Sequence, residues 1–514
     1  MEEFKLIAKT FQGLEEVLAK ELTELGAANI TPGRRMVSFT GNKAMMYRAN
    51  FCLRTAVRIL KPIATFEAHT ADEVYDAVKA MDWNQYLDLN TSFAVDTVVY
   101  SEDFKHSKFV AYKVKDAIVD FFREQTGKRP NISVTNPDIK FNMHIADNLC
   151  TLSLDSSGES LHKRGYRQAT VESPINEVLA AGLIRMTGWH GECDLIDPMC
   201  GSGTIAIEAA LIARNIAPGV FRTKYAFENW KDFDKELFDQ IYNDDSEERE
   251  FTHHIYAYDL DRNAVAIAQA NAKAAGVAND MTIAPQPIQQ FKQPEEKAIM
   301  ITNPPYGERI SSPNLLGLYR TLGERLKHQF IDNEAWVIGY RQETLDQIGL
   351  KPSLTIPLFN GSLDCVFVKY QIFSGRLDQF RSQGNILKTE EEKMRNANKR
   401  KLKPHSDFAS KPTNEEADDM ESEIPEYLRK RHREFVEKQQ REARHNRRDN
   451  SNADKGHSNE QRFDRSHDRK SGNHDRKGGT PRTQRFTEKG KKSFSGKQKG
   501  GHFNRNLFNM DDDD

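Results

Sequence analysis

The segment Asp197-Pro198-Met199-Cys200-Gly201-Ser202-Gly203-Thr204 limits what this chain can fold into more than any other. It follows the apolar pair Leu195-Ile196 and leads into Ile205-Ala206-Ile207-Glu208-Ala209-Ala210-Leu211, the pattern of a buried strand, a glycine turn and a helix. Glycines at such a turn reach positive φ and let a ligand approach the backbone, while the first N–H groups of the helix stay free for it. The default ligand is a dinucleotide phosphate. Ala206 replaces the third glycine of that fingerprint, which is tolerated, and no Gly-Lys-Ser/Thr follows, so a P-loop is excluded. A turn with no ligand remains an alternative at this level.

Around this segment the pattern alternates. Strands are expected at 194–197, 255–259, 281–283, 298–302 and 335–339, with helices at 202–212, 261–275 and 314–330. A further helix is expected up to Gly188, with Pro174 at its first position, where the missing N–H costs nothing. Such alternation predicts a doubly wound parallel α/β sheet. The end differs: β-rich runs flank Asn360-Gly361, a hairpin signal, so the last two strands should be antiparallel.

The first 155 residues look different. Residues 1–60 and 61–155 read as two α+β units. The first has a turn at Pro32-Gly33, and the second has a capping box from Thr70 to Glu73. Residues 156–173 form a linker. In it Lys163, Arg164, Tyr166 and Arg167 make a basic, aromatic cluster suited to phosphate; a solvated linker with a packed tyrosine is an equal alternative. The Rossmann-like region then spans 174–375. Its insertion, 214–250, carries Arg222, Lys224, Tyr225, Phe227 and Trp230, which either contact a substrate or pack together as a cap.

Charge sets the tail apart. From Arg376 onward there are 34 Lys+Arg against 26 Asp+Glu, and before it 40 against 50. A net basic, aliphatic-poor tail over 376–514 should be disordered and available to nucleic acid. The five cysteines, Cys52, Cys150, Cys193, Cys200 and Cys365, are scattered without metal-ligand spacing, which suits a reducing cytoplasm and no metal site. No stretch approaches the ~20 apolar residues of a membrane span.

Two motifs carry chemistry besides the glycine turn. Tyr258-Asp259-Leu260-Asp261 ends the second strand; Asp259 is placed to accept from a ribose diol, and Asp261 is the simpler N-cap of the next helix. Asn303-Pro304-Pro305-Tyr306 follows an apolar strand. Its prolines rigidify the turn, the Asn303 amide oxygen and the carbonyls can accept from an exocyclic amine, and Tyr306 offers a stacking face.

With DPMCGSGT, Asp259 and NPPYGER in place, residues 160–375 resemble a class I S-adenosylmethionine-dependent methyltransferase of the N-methylating kind. Together with LHKRGYR and the preceding α+β modules, the chain resembles the THUMP-containing RNA guanine-N2 methyltransferases of the RlmL type, which act on large-subunit ribosomal RNA. The resemblance implies a ferredoxin-like module followed by an RNA-binding THUMP domain. It implies S-adenosyl-L-methionine as cofactor, with Asp197, Met199, Gly201, Gly203 and Thr204 around its methionine part and Asp259 on its ribose. Where relatives carry an acid against the adenine, this chain has Gln286 in its place. Asn303 and the Pro304 carbonyl would orient the guanine amine, with Pro305 shaping the turn and Tyr306 stacking. The implied partner is RNA, either large-subunit rRNA or a ribosome-assembly intermediate. Rival readings are a tRNA guanine-N2 or DNA adenine-N6 methyltransferase, and a non-catalytic RNA-binding assembly factor.

Overall fold

The computed structural model describes residues 2–292, 297–307 and 314–375, with Ser382 beyond them; the rest of the expected basic tail lies outside the described residues. These residues belong to one compact unit.

The amino-terminal part builds a single eight-stranded sheet. Its order is Ala28–Gly33, Met36–Gly41, Phe4–Lys9, Arg58–Glu67, Leu149–Asp155, Ile139–Ala146, Ser92–Tyr100 and Asn131–Ile132. Strand Arg58–Glu67 pairs antiparallel with Phe4–Lys9 on one side and Leu149–Asp155 on the other. It therefore fuses the two α+β units and crosses the division expected at residue 60. Strict alternation in Ile139–Ala146 sends Ile139, Phe141, Met143 and Ile145 into the core. The Thr70 hydroxyl accepts from the Glu73 N–H and starts helix Ala71–Lys79, and Gly127, left-handed at φ 71°, stops helix Ser107–Thr126.

Two local expectations are corrected. Pro32 and Gly33 lie within strand Ala28–Gly33, and the turn falls at Arg34-Arg35, with Arg35 at φ 56°. That strand is at the sheet edge, where a missing N–H is tolerated. Pro174 does not open a helix. Helix Glu177–Thr187 begins after Asn176, whose side-chain oxygen accepts from the Val178 N–H and so caps it directly.

The second sheet has seven strands: β1 (Asp194–Asp197), β2 (Ile255–Asp259), β3 (Met281–Pro285), β4 (Ala298–Thr302), β5 (Glu334–Gly339), β6 (Leu354–Asn360) and β7 (Leu363–Gln371). Their order is β3-β2-β1-β4-β5-β7-β6, parallel except for the β6–β7 hairpin and the β5–β7 pairing. This is the doubly wound sheet with an antiparallel end that the alternation and Asn360-Gly361 predicted. β1 and β4 are buried throughout, as central parallel strands require.

The insertion after Arg214 leaves this sheet and packs on the amino-terminal core. Phe227 stacks on Tyr47 with centroids 4.4 Å apart, and Phe238 meets Phe51 edge-on. Tyr225, Phe227 and Trp230 are all buried. Lys231 donates to the carbonyls of Asn84 and Leu87. The cap alternative is realised, but the insertion covers the neighbouring module. These aromatics bolt the two parts together and offer no free face to a substrate.

Candidate functional site

The winding of the second sheet reverses between β1 and β4, which are neighbours although β2 and β3 intervene in sequence. A crevice opens at the carboxyl ends of strands at such a point. Three strands end there in residues named above: β1 in Asp197, β2 in Asp259, and β4 in Thr302, one residue before Asn303.

The two glycines of the turn have different work. Gly203 (φ 81°) caps helix Thr204–Ala213, and a Cβ on it would stand 3.0 Å from the Cβ of Ala268. It is a packing glycine, needed for helix-against-helix contact. Gly201 (φ 53°) is open: a Cβ there would meet only Val171, at 3.6 Å. Its backbone is the part a ligand can approach. The Gly201 N–H donates to Asp259 Oδ2 at 2.9 Å, and Asp259 Oδ1 accepts from the Asp261 N–H at 2.9 Å. Asp259 thus draws the turn and the β2 end together. Asp261 caps helix Arg262–Ala274 through the Asn263 N–H, as expected. The Gln286 N–H donates to the Asp259 carbonyl, which places that residue beside the same strand end. Next to Asp259, Leu260 is 75% exposed, an apolar side chain in solvent just beyond the end of β2.

Asp197 is buried. Its Oδ1 accepts from the Thr302 hydroxyl at 3.0 Å and from the Met199 N–H at 3.3 Å. Burial pushes its carboxyl up to about 7, against the pull of these two hydrogen bonds, and nearby Asp259 adds to the rise. The Asp197–Thr302 bond joins the glycine turn to the strand that delivers Asn303. Beyond it, Pro304 is buried and the Pro305 carbonyl accepts from the Tyr319 hydroxyl, so the double-proline turn is held from behind. The Tyr306 hydroxyl donates to Asn303 Oδ1 and receives Asn360 Nδ2 at 3.4 Å. Burial raises the Tyr306 phenol far above its ordinary value, so it stays a neutral donor. A carboxamide oxygen has two lone pairs, and Asn303 keeps capacity for a second donor.

The linker cations are corrected. Arg164 and Tyr166 are 2% and 1% exposed, so they cannot meet RNA. Arg164 pairs with the fully buried Glu208 at 3.4 Å and donates to the carbonyls of Leu161 and Arg54. The Tyr166 hydroxyl donates to the same Glu208 oxygen at 2.9 Å. Arg167 turns inward, pairing with Glu177 at 2.7 Å and donating to Ser202 Oγ at 3.1 Å and Thr204 Oγ1 at 3.0 Å. It braces the glycine turn. Lys163 alone stays exposed, beside Glu159. A buried carboxylate needs these cations, which outweighs their appeal to phosphate.

Asn271 was missed. It is buried on helix Arg262–Ala274; its Oδ1 accepts from the Gln168 N–H, and its Nδ2 donates to the Ala169 and Ser202 carbonyls. The available signal was an asparagine on a face otherwise made of Ala264, Ala268 and Ala272.

The open Gly201 backbone and the carboxylate of Asp259 at the end of β2 suit a nucleoside-type cofactor. Comparison with known proteins agrees. Residues 5–60 match the RlmL ferredoxin-like domain, 68–155 the THUMP domain, and 164–369 the RMKL-like methyltransferase domain. A Synechocystis protein, named by inference as an RNA methyltransferase, is 37% identical over 71% of this chain and 96% of its own. Ribosomal RNA large subunit methyltransferase K/L of Syntrophotalea carbinolica is 37% identical over 72% of this chain and 54% of its own, so the chain spans about half that relative's length. Among solved structures, SMU.472, crystallised with S-adenosylhomocysteine, aligns with TM-score 0.65 and 30% identity over 73% of this chain and all of that one.

Proposed function

The chain belongs to the THUMP-containing, RMKL-like methyltransferase family, and we propose that it methylates the exocyclic N2 amine of a guanine in RNA, with large-subunit rRNA as substrate. It uses S-adenosyl-L-methionine, in keeping with the S-adenosylhomocysteine bound to SMU.472. The observation that carries this reading is the Thr302–Asp197 hydrogen bond, which fixes the cofactor-side turn and Asn303-Pro304-Pro305-Tyr306 at adjacent strand ends.

The cofactor supplies a methyl group activated by a sulfonium leaving group. Gly201 offers it an open backbone face, and Asp259 offers carboxylate oxygens for its ribose. The protein holds Asn303 Oδ1 and the Pro304 carbonyl as acceptors for the two N–H groups of the incoming amine, aiming the nitrogen lone pair at the methyl group. Positioning of this kind accounts for much of the catalytic effect when the leaving group is already good. No strong base is needed, because the amine loses its proton after the new N–C bond begins to form.

Asn303→Ala should abolish methyl transfer to transcribed large-subunit rRNA while S-adenosylhomocysteine binding, followed by calorimetry, stays within about threefold. Undiminished turnover by that variant would refute the assignment. Nucleoside analysis of the product separates N2-methylguanine from N6-methyladenine, and parallel reactions on tRNA and DNA separate the rival substrates.

A further inference from the structure

We propose that Asn360, on the final hairpin, is a positioning residue that sets the orientation of the Asn303 side chain through the Tyr306 hydroxyl; the inference rests on the function proposed above.

Two side chains of the 303–306 turn meet a third from the final hairpin in series. Asn360 Nδ2 approaches the Tyr306 oxygen at 3.4 Å, and the Tyr306 hydroxyl donates to Asn303 Oδ1. A phenol has one proton to give. Asn360 presents only a donor to the phenol oxygen, so the single phenol proton is directed to Asn303. That bond in turn decides which end of the Asn303 amide faces Tyr306. The oxygen is held there, with its second lone pair left for an amine. If the proton were drawn elsewhere, the amide would be free to turn its NH2 towards the substrate amine, donor against donor.

The competing acceptor for that proton is Cys365. Its thiol lies against Tyr306, and burial raises it, so it remains neutral and a weak partner. Asn360 is framed by the hairpin on one side and the first module on the other. It ends β6, pairs with Leu363 of β7 across Gly361, and the hairpin turn has φ 64° at that glycine. Behind β6 lies the amino-terminal turn: a Cβ on Gly13 would stand 3.1 Å from the Pro357 carbonyl. The strand carrying Asn360 is therefore clamped between its own hairpin and the first module. Spacing alone does not reveal this relay, since 54 residues separate Asn360 from Tyr306.

The test compares Asn360→Asp, Asn360→Ala, Tyr306→Phe and the double variant Asn360→Ala/Tyr306→Phe in full-length protein. The substrate is transcribed large-subunit rRNA, and S-adenosylhomocysteine binding reports on folding. Aspartate keeps the shape of asparagine but accepts the phenol proton instead of directing it away. Asn360→Asp should lower kcat about 10- to 100-fold, the cost of a misoriented reacting group, with the cofactor KM within about twofold. Asn360→Ala should fall in the same direction. In the Tyr306→Phe background, Asn360→Ala should add less than about twofold. Wild-type kcat in Asn360→Asp, or an equal loss from Asn360→Ala with and without the Tyr306 hydroxyl, would overturn the inference and leave the proposed function standing. A wild-type protein that methylates none of the RNA, tRNA or DNA substrates would remove both.

Discussion

Replacing Arg164 by methionine separates a structural linker cation from an RNA contact. Arg164 faces Glu208, which is fully buried and has one carboxylate oxygen without a hydrogen-bond partner. Methionine fills similar volume but leaves that carboxylate with the Tyr166 hydroxyl as its hydrogen-bond partner and the more distant Arg54 as its remaining cation. Breaking one side of a buried pair costs about 3–5 kcal/mol. With about 2.1 cal/mol/K of unfolding entropy per residue and ~370 cooperative residues, Tm should fall by roughly 4–6 °C. Burial already raises the Glu208 carboxyl, and removing the cation raises it further. An acid whose folded value is raised gives stability at low pH and loses it as pH rises. The deficit of Arg164→Met should therefore be larger at pH 8 than at pH 5. The double variant Arg164→Met/Glu208→Gln should recover most of the loss, because glutamine still accepts from Tyr166 and carries no charge. Differential scanning calorimetry at the two pH values measures all of this. An unchanged Tm, with RNA affinity and its salt slope reduced instead, would refute the buried-pair account.

Asp197→Asn keeps an acceptor for Thr302 while removing a carboxyl that burial raises to about 7. The wild-type contribution is fully present below about pH 4 and lost as pH climbs through 7, a span of about 4 kcal/mol. The variant should show a flatter stability curve between those limits, seen by urea titration. Gly203→Ala combines φ 81° with a Cβ 3.0 Å from Ala268, so it should destabilise by at least about 1–2 kcal/mol. Gly201→Ala, at φ 53°, should carry a similar backbone cost of about 1–2 kcal/mol without the Ala268 clash, and should in addition weaken S-adenosylhomocysteine binding of the folded protein, read by calorimetry. Deleting residues 376–514 removes a surplus of basic charge. It should lower RNA affinity and its salt slope in filter binding while leaving cofactor affinity unchanged.

Features that depend on neighbours in sequence were legible. The strand-turn-helix at Asp197–Thr204, the caps at Thr70, Asp261 and Gly127, and the Asn360-Gly361 hairpin all follow from local backbone preference and period. The position of Asn303-Pro304-Pro305-Tyr306 directly after a buried strand was legible for the same reason. Where a polar side chain points was not. For the linker residues a phosphate contact and a packed linker were equal alternatives, and Glu208, 44 residues from Arg164 and buried against it, decided between them. The insertion aromatics could equally contact a substrate or pack as a cap, and only Tyr47 and Phe51 of the first module show what they cover. Burial and pairing are decided by segments far apart in sequence, and local spacing carries no record of which surfaces will meet. The sequence by itself determined the elements and the chemistry their ends can hold. Only the tertiary structure decided which charges are spent inside, and that Asn360 meets Tyr306 and, through it, Asn303.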